Sequence, residues 1–165
     1  MSLSSLPFSA SLLSLALATA PVMAEPDAPP RRIAGPVEAR VIKVRDGDTV
    51  EVAAHVWPMQ AVHVAVRLRG VDAPELRGDC AREIAAAEAA RDRLAALIGT
   101  EPVRLTTIEG DKYFGRVVAD LSTAAEPNIA ARLLAEGLVD PYDGGRRRDW
   151  CVSVGAFGPD RLRRG

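Results

Sequence analysis

Apolar and polar residues alternate with a period of two along three segments of the first half of the chain. These segments, residues 37–44, 49–56 and 61–71, are each predicted to form a β-strand, because successive side chains of a strand point to opposite faces. In the third segment, Arg67 and Arg69 lie on the face opposite the apolar residues. The pattern therefore predicts three half-buried strands at the start of the folded domain.

The spacing of apolar residues then becomes helical. A helix is predicted over 81–98, with Gly99 as its end, and one of its faces carries Ile84, Ala87, Leu94 and Ile98. Two further strands over 103–108 and 115–121 are followed by a short helix over 128–136. This is a mostly β chain with one helix inserted after strand three and one near its C-terminus. Such an order predicts a five-stranded barrel of the oligonucleotide-binding (OB) fold.

The first residues have the composition of a targeting segment. Residues 1–24 contain no charged side chain, include an apolar run and end in Val-Met-Ala, which is a small-residue cleavage pattern. We therefore expect a secretory signal peptide cut after Ala24, and a periplasmic or secreted protein with no stable membrane association. The alternative is an uncleaved N-terminal anchor, since Arg31 and Arg32 follow the apolar run and no basic residue precedes it.

The rest of the chain divides into a linker, one domain and a tail. Residues 25–36 are polar and rich in proline, which predicts an extended linker that adds nothing to a core. One compact domain with the OB-fold is expected over 37–145, because 165 residues with 48% hydrophobic content have room for one core. Residues 146–165 are rich in arginine and lack periodicity, and we expect them to form a tail. The protein is expected to be a monomer.

The charge balance limits how the protein can bind nucleic acid. A net charge of −1 and a pI of about 6.1 provide no bulk attraction for a polyanion, so any phosphate binding must be local. Nearly all the basic residues are arginines, and Lys43 and Lys112 are the only lysines. The arginine guanidinium matches phosphate oxygens bidentately, although a biased genomic composition would produce the same excess.

The chain has two cysteines, Cys80 and Cys151. In an exported protein we expect them to form one disulfide bond, with two free thiols as the alternative. A zinc site would need more ligands than these cysteines and the two histidines, His55 and His63, are expected to supply.

Four pieces of the sequence together indicate a function. The stretch "VRDGDTVEV" places two aspartates around a glycine, and taken alone it is explained by a turn. The other pieces are Arg67, the motif Asp-Ala-Pro-Glu at 72–75, and "DKYFGR", which ends at Arg116. In order, spacing and residue type they resemble the staphylococcal nuclease (thermonuclease) family over residues 37–142. The resemblance implies an exported, bacterial-type endonuclease with an OB-fold barrel.

The aspartates of these motifs predict a metal site. A hard divalent cation such as Ca²⁺ binds several oxygen ligands, and the strand ends of a barrel can bring Asp48 and Asp72 together. The resemblance implies that the backbone carbonyl of Ala73 completes the protein ligands. The family usually has threonine at this position, and a backbone ligand tolerates the change. Asp46 would lie behind the ligands and orient water or Thr49.

Phosphodiester hydrolysis requires an activated water and cations placed where negative charge develops. Glu75 follows Asp72 by three residues, after a proline that stiffens the turn. It is the candidate general base, which is also the role that the resemblance implies. Arg67 and Arg116 lie on separate predicted strands and would hold the phosphate from two sides. The alternative for each arginine alone is a surface salt bridge.

The resemblance also implies nucleotide contacts. Lys112 and Tyr113 match positions that contact the nucleotide in the family. Tyr142 falls where an aromatic ring would contact a base, with packing beneath the C-terminal tail as the alternative. Base stacking tolerates any sequence and suits single strands. The family usually has Tyr-Gly-Arg, whereas here Phe114 precedes the glycine, which predicts that Arg116 is carried on a bulged strand.

Two functions of different classes are compatible with the sequence. The first is a calcium-dependent phosphodiesterase that hydrolyses DNA and RNA, preferably single-stranded, by metal-assisted attack of water. The resemblance implies 3′-phosphate products. The alternative is a non-catalytic OB-fold module that binds single-stranded nucleic acid or a protein partner. The presence of the whole set of acidic residues and arginines favours the enzyme.

Overall fold

The structure, a computed structural model, describes residues 30–152. The predicted signal peptide, the first part of the predicted linker and the last part of the predicted tail lie outside these residues. The strands are β1 (Arg32–Ile33), β2 (Val37–Val44), β3 (Thr49–Trp57), β4 (Gln60–Leu68), β5 (Val71–Asp72), β6 (Val103–Gly110), β7 (Arg116–Ser122) and β8 (Asp140–Pro141). The helices are α1 (Ala81–Ile98) and α2 (Ile129–Ala135).

Five of the strands close into a barrel. Strands β2, β3 and β4 form an antiparallel meander, and β4 then pairs in parallel with β7. Antiparallel pairs of β7 with β6 and of β6 with β2 complete the closure. Closure leaves none of the five strands with an unpaired edge. The architecture is consistent with the OB-fold and confirms the predicted fold class.

The core fills the barrel and extends beneath the helices. Every second residue of the strands points inward, because the side-chain period of a strand is two. Helix α1 adds Ala87, Ala90, Leu94 and Ile98, and α2 adds Ile129 and Leu133. The inward residues of the strands include Ala39, Val50, Val52, Val66, Leu68, Val103, Leu105, Ala119 and Leu121. The helix predicted over 81–98 is confirmed at both ends, and Gly99 supplies the positive φ of 62° at its C-terminus.

Three two-residue strands were not predicted. The strand predicted over 61–71 ends at Leu68, and Gly70 turns the chain before β5. Strand β1 lies within the predicted linker and pairs with β6, where Arg32 also forms a salt bridge with Glu109 at 2.7 Å. Both residues of β1 are exposed, so the linker adds an edge strand and leaves the core unchanged. Strand β8 pairs with β5 and sets Asp140 opposite Asp72. Two-residue strands depend on distant partners and have no local pattern of their own.

The residue that departs from the family pattern lies in a turn. Residues 111–115, which include Phe114, connect β6 to β7, and Arg116 is the first residue of β7. The irregularity between these strands falls at Thr106–Glu109 instead. The predicted bulge at Arg116 is therefore wrong, because Gly115 adopts a φ of 77° and absorbs the extra residue in the turn. Among residues 30–152, neither helix is long and apolar enough to cross a membrane.

Candidate functional site

A cleft of about 820 Å³ opens on one side of the barrel. Its walls come from the end of β4, the loop after β5, the turn between β6 and β7, and the segment after β8. The cleft brings together seven of the residues predicted from the sequence: Arg67, Asp72, Glu75, Lys112, Tyr113, Arg116 and Tyr142. It also contains Arg147, to which the sequence assigned no role.

The Asp-Gly-Asp stretch is a turn that also positions a carboxylate. Asp46 Oδ1 accepts a hydrogen bond from the backbone N–H of Asp48 at 3.1 Å, and the Thr49 hydroxyl donates to Asp48 Oδ1 at 2.8 Å. The backbone N–H of Ala73 donates to Asp48 Oδ2 at 3.1 Å. The buried Asp48 carboxylate thus accepts two of these hydrogen bonds, and the bond to Asp46 fixes the Asp48 backbone. The two readings of this stretch, a turn and a functional site, are compatible.

Arg67 connects the two predicted metal ligands. Its Nη1 donates to Asp48 Oδ2 at 2.7 Å, and its Nη2 donates to Asp72 Oδ1 at 3.1 Å and to the carbonyl of Val71 at 3.0 Å. Both aspartates are buried, with 4% and 3% of their surface exposed. Burial raises the pKa of Asp48 to about 6; the positive charge of Arg67 opposes this rise and the negative charge of Asp46 adds to it.

Asp72, Ala73 and Glu75 meet a second arginine. Arg147 Nε donates to Asp72 Oδ2 at 2.8 Å, its Nη2 to the carbonyl of Ala73 at 3.0 Å, and its Nη1 to Glu75 Oε1 at 2.6 Å. Partial burial lowers the pKa of Arg147, but its hydrogen bonds to Asp72 and Glu75 and their charges raise it overall above its usual value. The run of three arginines in the tail was a signal for such a residue, but no local pattern indicates which of them turns inward.

Arg116 lies on the opposite wall of the cleft. It forms a salt bridge with Asp111, and its guanidinium lies 4.5 Å from the centre of the Tyr113 ring. Lys112 Nζ lies 5.1 Å from the same ring. The Tyr113 side chain is largely exposed, so a base has access to its ring. Arg116, Lys112 and Tyr113 therefore form one cationic and aromatic surface at the cleft.

Tyr142 lies between the two walls. Its backbone N–H donates to the carbonyl of Gly70 at 2.9 Å, which ties the segment after β8 to the end of β4. The Arg67 guanidinium lies 5.6 Å from the centre of the Tyr142 ring. The half-buried ring lines the cleft and packs against a site residue. This position is compatible with both roles predicted from the sequence.

A disulfide bond and a glutamate support the loop that carries Glu75. Cys80 and Cys151 are bonded, with their Cα atoms 6.0 Å apart, which confirms the predicted pair. Glu83 Oε1 accepts from the backbone N–H of Glu75 at 3.3 Å, and Glu83 Oε2 accepts from that of Asp79 at 3.1 Å. Sequence reasoning missed Glu83, although a glutamate at the third position of a helix commonly accepts from N–H groups before the helix.

The donor atoms of the site fit a hard divalent cation. Two buried carboxylates and the Ala73 carbonyl offer only oxygen atoms, which are the ligands that Ca²⁺ and Mg²⁺ prefer. Two guanidinium groups already compensate the negative charge, with Arg67 on Asp48 and Asp72, and Arg147 on Asp72. The site is therefore built to hold positive charge. Its oxygen chemistry gives no reason to expect a soft metal.

One known protein family matches the part of the chain that lines the cleft. The family model described as "Staphylococcal nuclease homologue" matches residues 65–148, about half of the chain. The matched range includes Arg67, the motif at 72–75, Arg116 and Arg147, and begins after Asp48. No curated protein is similar enough to be matched to the chain. A closed five-stranded barrel and the family match lead to one conclusion: the chain belongs to the staphylococcal nuclease family, whose members are nucleases.

Proposed function

We propose that this protein is a calcium-dependent phosphodiesterase that hydrolyses DNA and RNA. One observation carries the proposal: the buried Asp72, Glu75 and two arginines of the family motifs line one open cleft, and Arg67 joins them to the second buried aspartate, Asp48. A binding module would need the cationic and aromatic surface alone, without two buried carboxylates beside it. Burying carboxylates is unfavourable unless they are paired or bind a metal. Binding of a cation would explain why two of them are buried beside the cleft.

The proposed cation site consists of the Asp48 and Asp72 carboxylates and the carbonyl of Ala73. A divalent cation bound there would polarise the phosphoryl oxygens and stabilise the negative charge that develops on them. Asp46 and Thr49 hold Asp48 in place through the hydrogen bonds described above. These supporting contacts are formed by backbone and side-chain groups of one turn, so the position of Asp48 is set by the fold itself.

Glu75 is proposed to act as the general base. Its side chain is 53% exposed at the cleft, so a water molecule can reach it. The Glu75 carboxylate would take a proton from that water as the oxygen attacks phosphorus, and the 5′ oxygen, as its bond to phosphorus breaks, would take up a proton from solvent. The products would be a 3′ phosphate and a 5′ hydroxyl. General-base assistance of this kind contributes roughly 100- to 10,000-fold to a rate.

Arg67 and Arg116 are proposed to bind the scissile phosphate. They extend from neighbouring parallel strands, since Ala65 is opposite Arg116 and Arg67 is opposite Val118 in the register of β4 and β7. Both side chains line the cleft. Guanidinium groups aimed at a phosphoryl group stabilise the charge of its transition state. For this role Arg116 would exchange Asp111 for the phosphate, and Arg67 would turn from Asp48 and Asp72 toward it when a cation takes those carboxylates.

Lys112, Tyr113 and Tyr142 are proposed to bind the nucleotide next to the scissile phosphate. The exposed Tyr113 ring offers a stacking surface, and Lys112 adds a charge for the backbone. Bases of a single strand are free to stack on such rings, whereas those of a duplex are not. This supports a preference for single-stranded substrates. The disulfide bond supports a periplasmic or secreted location, because such bonds persist in oxidising compartments.

The test is cleavage of a single-stranded DNA oligonucleotide by the purified protein, first with Ca²⁺ and then with an excess of chelator. We expect cleavage only with the metal, and a 3′ phosphate on the products. Asp72→Asn serves as the control, since it keeps the size of a proposed ligand and removes its charge. Binding of the oligonucleotide without cleavage under any of a range of divalent ions would refute the enzyme and favour the non-catalytic module.

A further inference from the structure

Arg147 contacts three groups that the proposed function assigns to other tasks. Its guanidinium donates to Asp72 Oδ2 at 2.8 Å, to the Ala73 carbonyl at 3.0 Å and to Glu75 Oε1 at 2.6 Å. The first two acceptors are proposed ligands of the cation, and the third is the proposed general base. The side chain of Arg147 thus donates hydrogen bonds both to the proposed metal ligands and to the proposed general base.

The guanidinium and a divalent cation would compete for these oxygen atoms. Each needs the oxygen atoms of Asp72 and Ala73, and two positive groups so close together repel each other. The Arg147 side chain is 43% exposed, so it can leave for solvent without opening the core. Arg67 differs in this respect, because it lies on β4 with 19% of its side chain exposed and is also held by the Val71 carbonyl.

The chain keeps Arg147 close to the cleft. The disulfide bond joins Cys151, four residues further on, to Cys80 at the start of α1. Arg148 pairs with Asp140 at 3.1 Å, and Trp150 is buried. The segment between Tyr142 and Trp150 contains no helix or strand. Because the Arg147 guanidinium is tethered in this way, its effective concentration at the site is high, although each of its contacts is individually weak.

We propose, on the basis of the function proposed above, that Arg147 is an internal competitor of the divalent cation. While Arg147 is engaged, it holds Asp72, Ala73 and Glu75 in their positions and neutralises their charge. Binding of the cation requires that Arg147 withdraws. The tail therefore sets the cation concentration at which the site fills.

Calorimetric titration of the purified protein with Ca²⁺ tests this competition without measuring activity. The variant is Arg147→Gln, which removes the charge and the three-way contact. Its matched control is Arg146→Gln, which removes the same charge one residue earlier, where no hydrogen bond or salt bridge is found among the described residues. Asp72→Asn tests whether the measured heat comes from the proposed site.

We expect Arg147→Gln to bind Ca²⁺ about tenfold more tightly than the wild type, the factor for a site that is free of its competitor about a tenth of the time. Arg146→Gln should stay within about twofold of the wild type, since exposed charges act only weakly at a distance. Arg147→Lys should lie between the two, because an ammonium keeps the charge but cannot contact all three acceptors.

Equal affinities of Arg147→Gln and Arg146→Gln, with binding abolished by Asp72→Asn, would overturn the competition and leave the proposed metal site intact. Weaker binding by Arg147→Gln would overturn it too, and would show that Arg147 supports the site. If neither the wild type nor Arg147→Gln binds Ca²⁺, the proposed metal site fails and the competition with it.

A second variant tests the tether. In Cys80→Ser/Cys151→Ser the segment that carries Arg147 is no longer joined to α1, and its effective concentration falls. We expect Ca²⁺ affinity to rise in the same direction as in Arg147→Gln, and the two changes combined to give little more than Arg147→Gln alone, because both remove the same competitor. An affinity unchanged by loss of the disulfide, in a variant that melts cooperatively, would overturn the role of the tether.

Discussion

Gly47 lies so close to Ala90 of helix α1 that a side chain at position 47 would collide with the Ala90 methyl group. A Cβ atom on Gly47 would lie 2.6 Å from the Cβ of Ala90 and 2.9 Å from the Cβ of Ala73. Both neighbours are methyl groups fixed to the backbone, so neither can rotate away. The glycine between the two aspartates is therefore explained by close packing of the metal-site turn against a helix.

Replacing Gly47 by alanine should separate the turn from the helix. We expect Gly47→Ala to lower the free energy of unfolding by about 1–3 kcal/mol, as overpacking of a tight core does. It should also weaken Ca²⁺ binding, because the displaced residues include Ala73. Gly110→Ala is the control, since a Cβ there meets nothing within 4 Å and its φ is not positive. Denaturant melts and calorimetry of the two variants measure both effects, and equal stabilities would contradict the packing argument.

Arg67 is predicted to need its forked shape as well as its charge. It contacts Asp48, Asp72 and the Val71 carbonyl at once. Lysine has a single ammonium and cannot replace all of these contacts. We expect Arg67→Lys to lower kcat by about 100-fold or more, in the range found when one transition-state donor is lost.

Arg93→Lys is the matched control for Arg67→Lys. Arg93 also makes a two-pronged pair, with Glu136, but on the exposed surface between the helices. Its replacement by lysine should leave the rate of cleavage unchanged and have little effect on stability, because ion pairs at the surface contribute little. Single-turnover cleavage compares the two variants. Near-normal cleavage by Arg67→Lys would reduce Arg67 to a structural ion pair.

The features that the sequence predicted are those with a local signal. The strand at 37–44 and the helix at 81–98 follow from the periodicity of their own residues, and both appear with these bounds. The family motifs likewise identified Arg67 and Glu75, which both line the cleft. The strand and the helix are predictable from the sequence because side-chain direction repeats with a fixed period along each element.

The features that the sequence did not predict depend on distant parts of the chain. Strand β8 exists because it pairs with β5, and Arg147 turns inward because Asp72 and Glu75 are there to receive it. The parallel pairing of β4 with β7 is also set by the topology and not by either strand alone. Phe114 was expected to distort a strand, but the adjacent glycine allows a turn to absorb it.

Removing the metal should abolish cleavage and leave the fold intact. In the described residues, the buried carboxylates of Asp48 and Asp72 are already neutralised by Arg67 and Arg147, so the barrel does not need a metal to offset their repulsion. With excess chelator we expect an unchanged far-ultraviolet circular dichroism spectrum and no cleavage. Restoring Ca²⁺ should restore the rate. Loss of the folded signal on chelation would show that the cation is part of the core.

The disulfide bond should contribute substantially to stability. It joins residues 71 positions apart, and closing a loop of that length stabilises a fold by about 4 kcal/mol on the chain-entropy model. We expect Cys80→Ser/Cys151→Ser to lower the melting temperature of the protein, and a reductant to produce a similar shift in the wild type. The double variant is also the control for the reductant, since a reductant should not change the melting temperature of a protein without the disulfide bond. Titration of two free thiols in the wild-type protein without reduction would contradict the predicted disulfide bond.

Glu75 is the residue on which the enzymatic proposal depends most. Glu75→Gln keeps the size of the side chain and an oxygen that can accept from Arg147, but removes the ability to take a proton from water. We expect single-turnover cleavage of a short single-stranded oligonucleotide to fall by about 100- to 10,000-fold. Stability should change by less than about 0.5–1 kcal/mol, since the Glu75 side chain is 53% exposed and its ion pair with Arg147 lies at the surface. Glu88→Gln, an exposed glutamate of α1 that does not line the cleft, is the matched control and should cleave at the wild-type rate. If Glu75→Gln also cleaves at that rate, Glu75 is only the surface partner of Arg147, and water must be activated by another group.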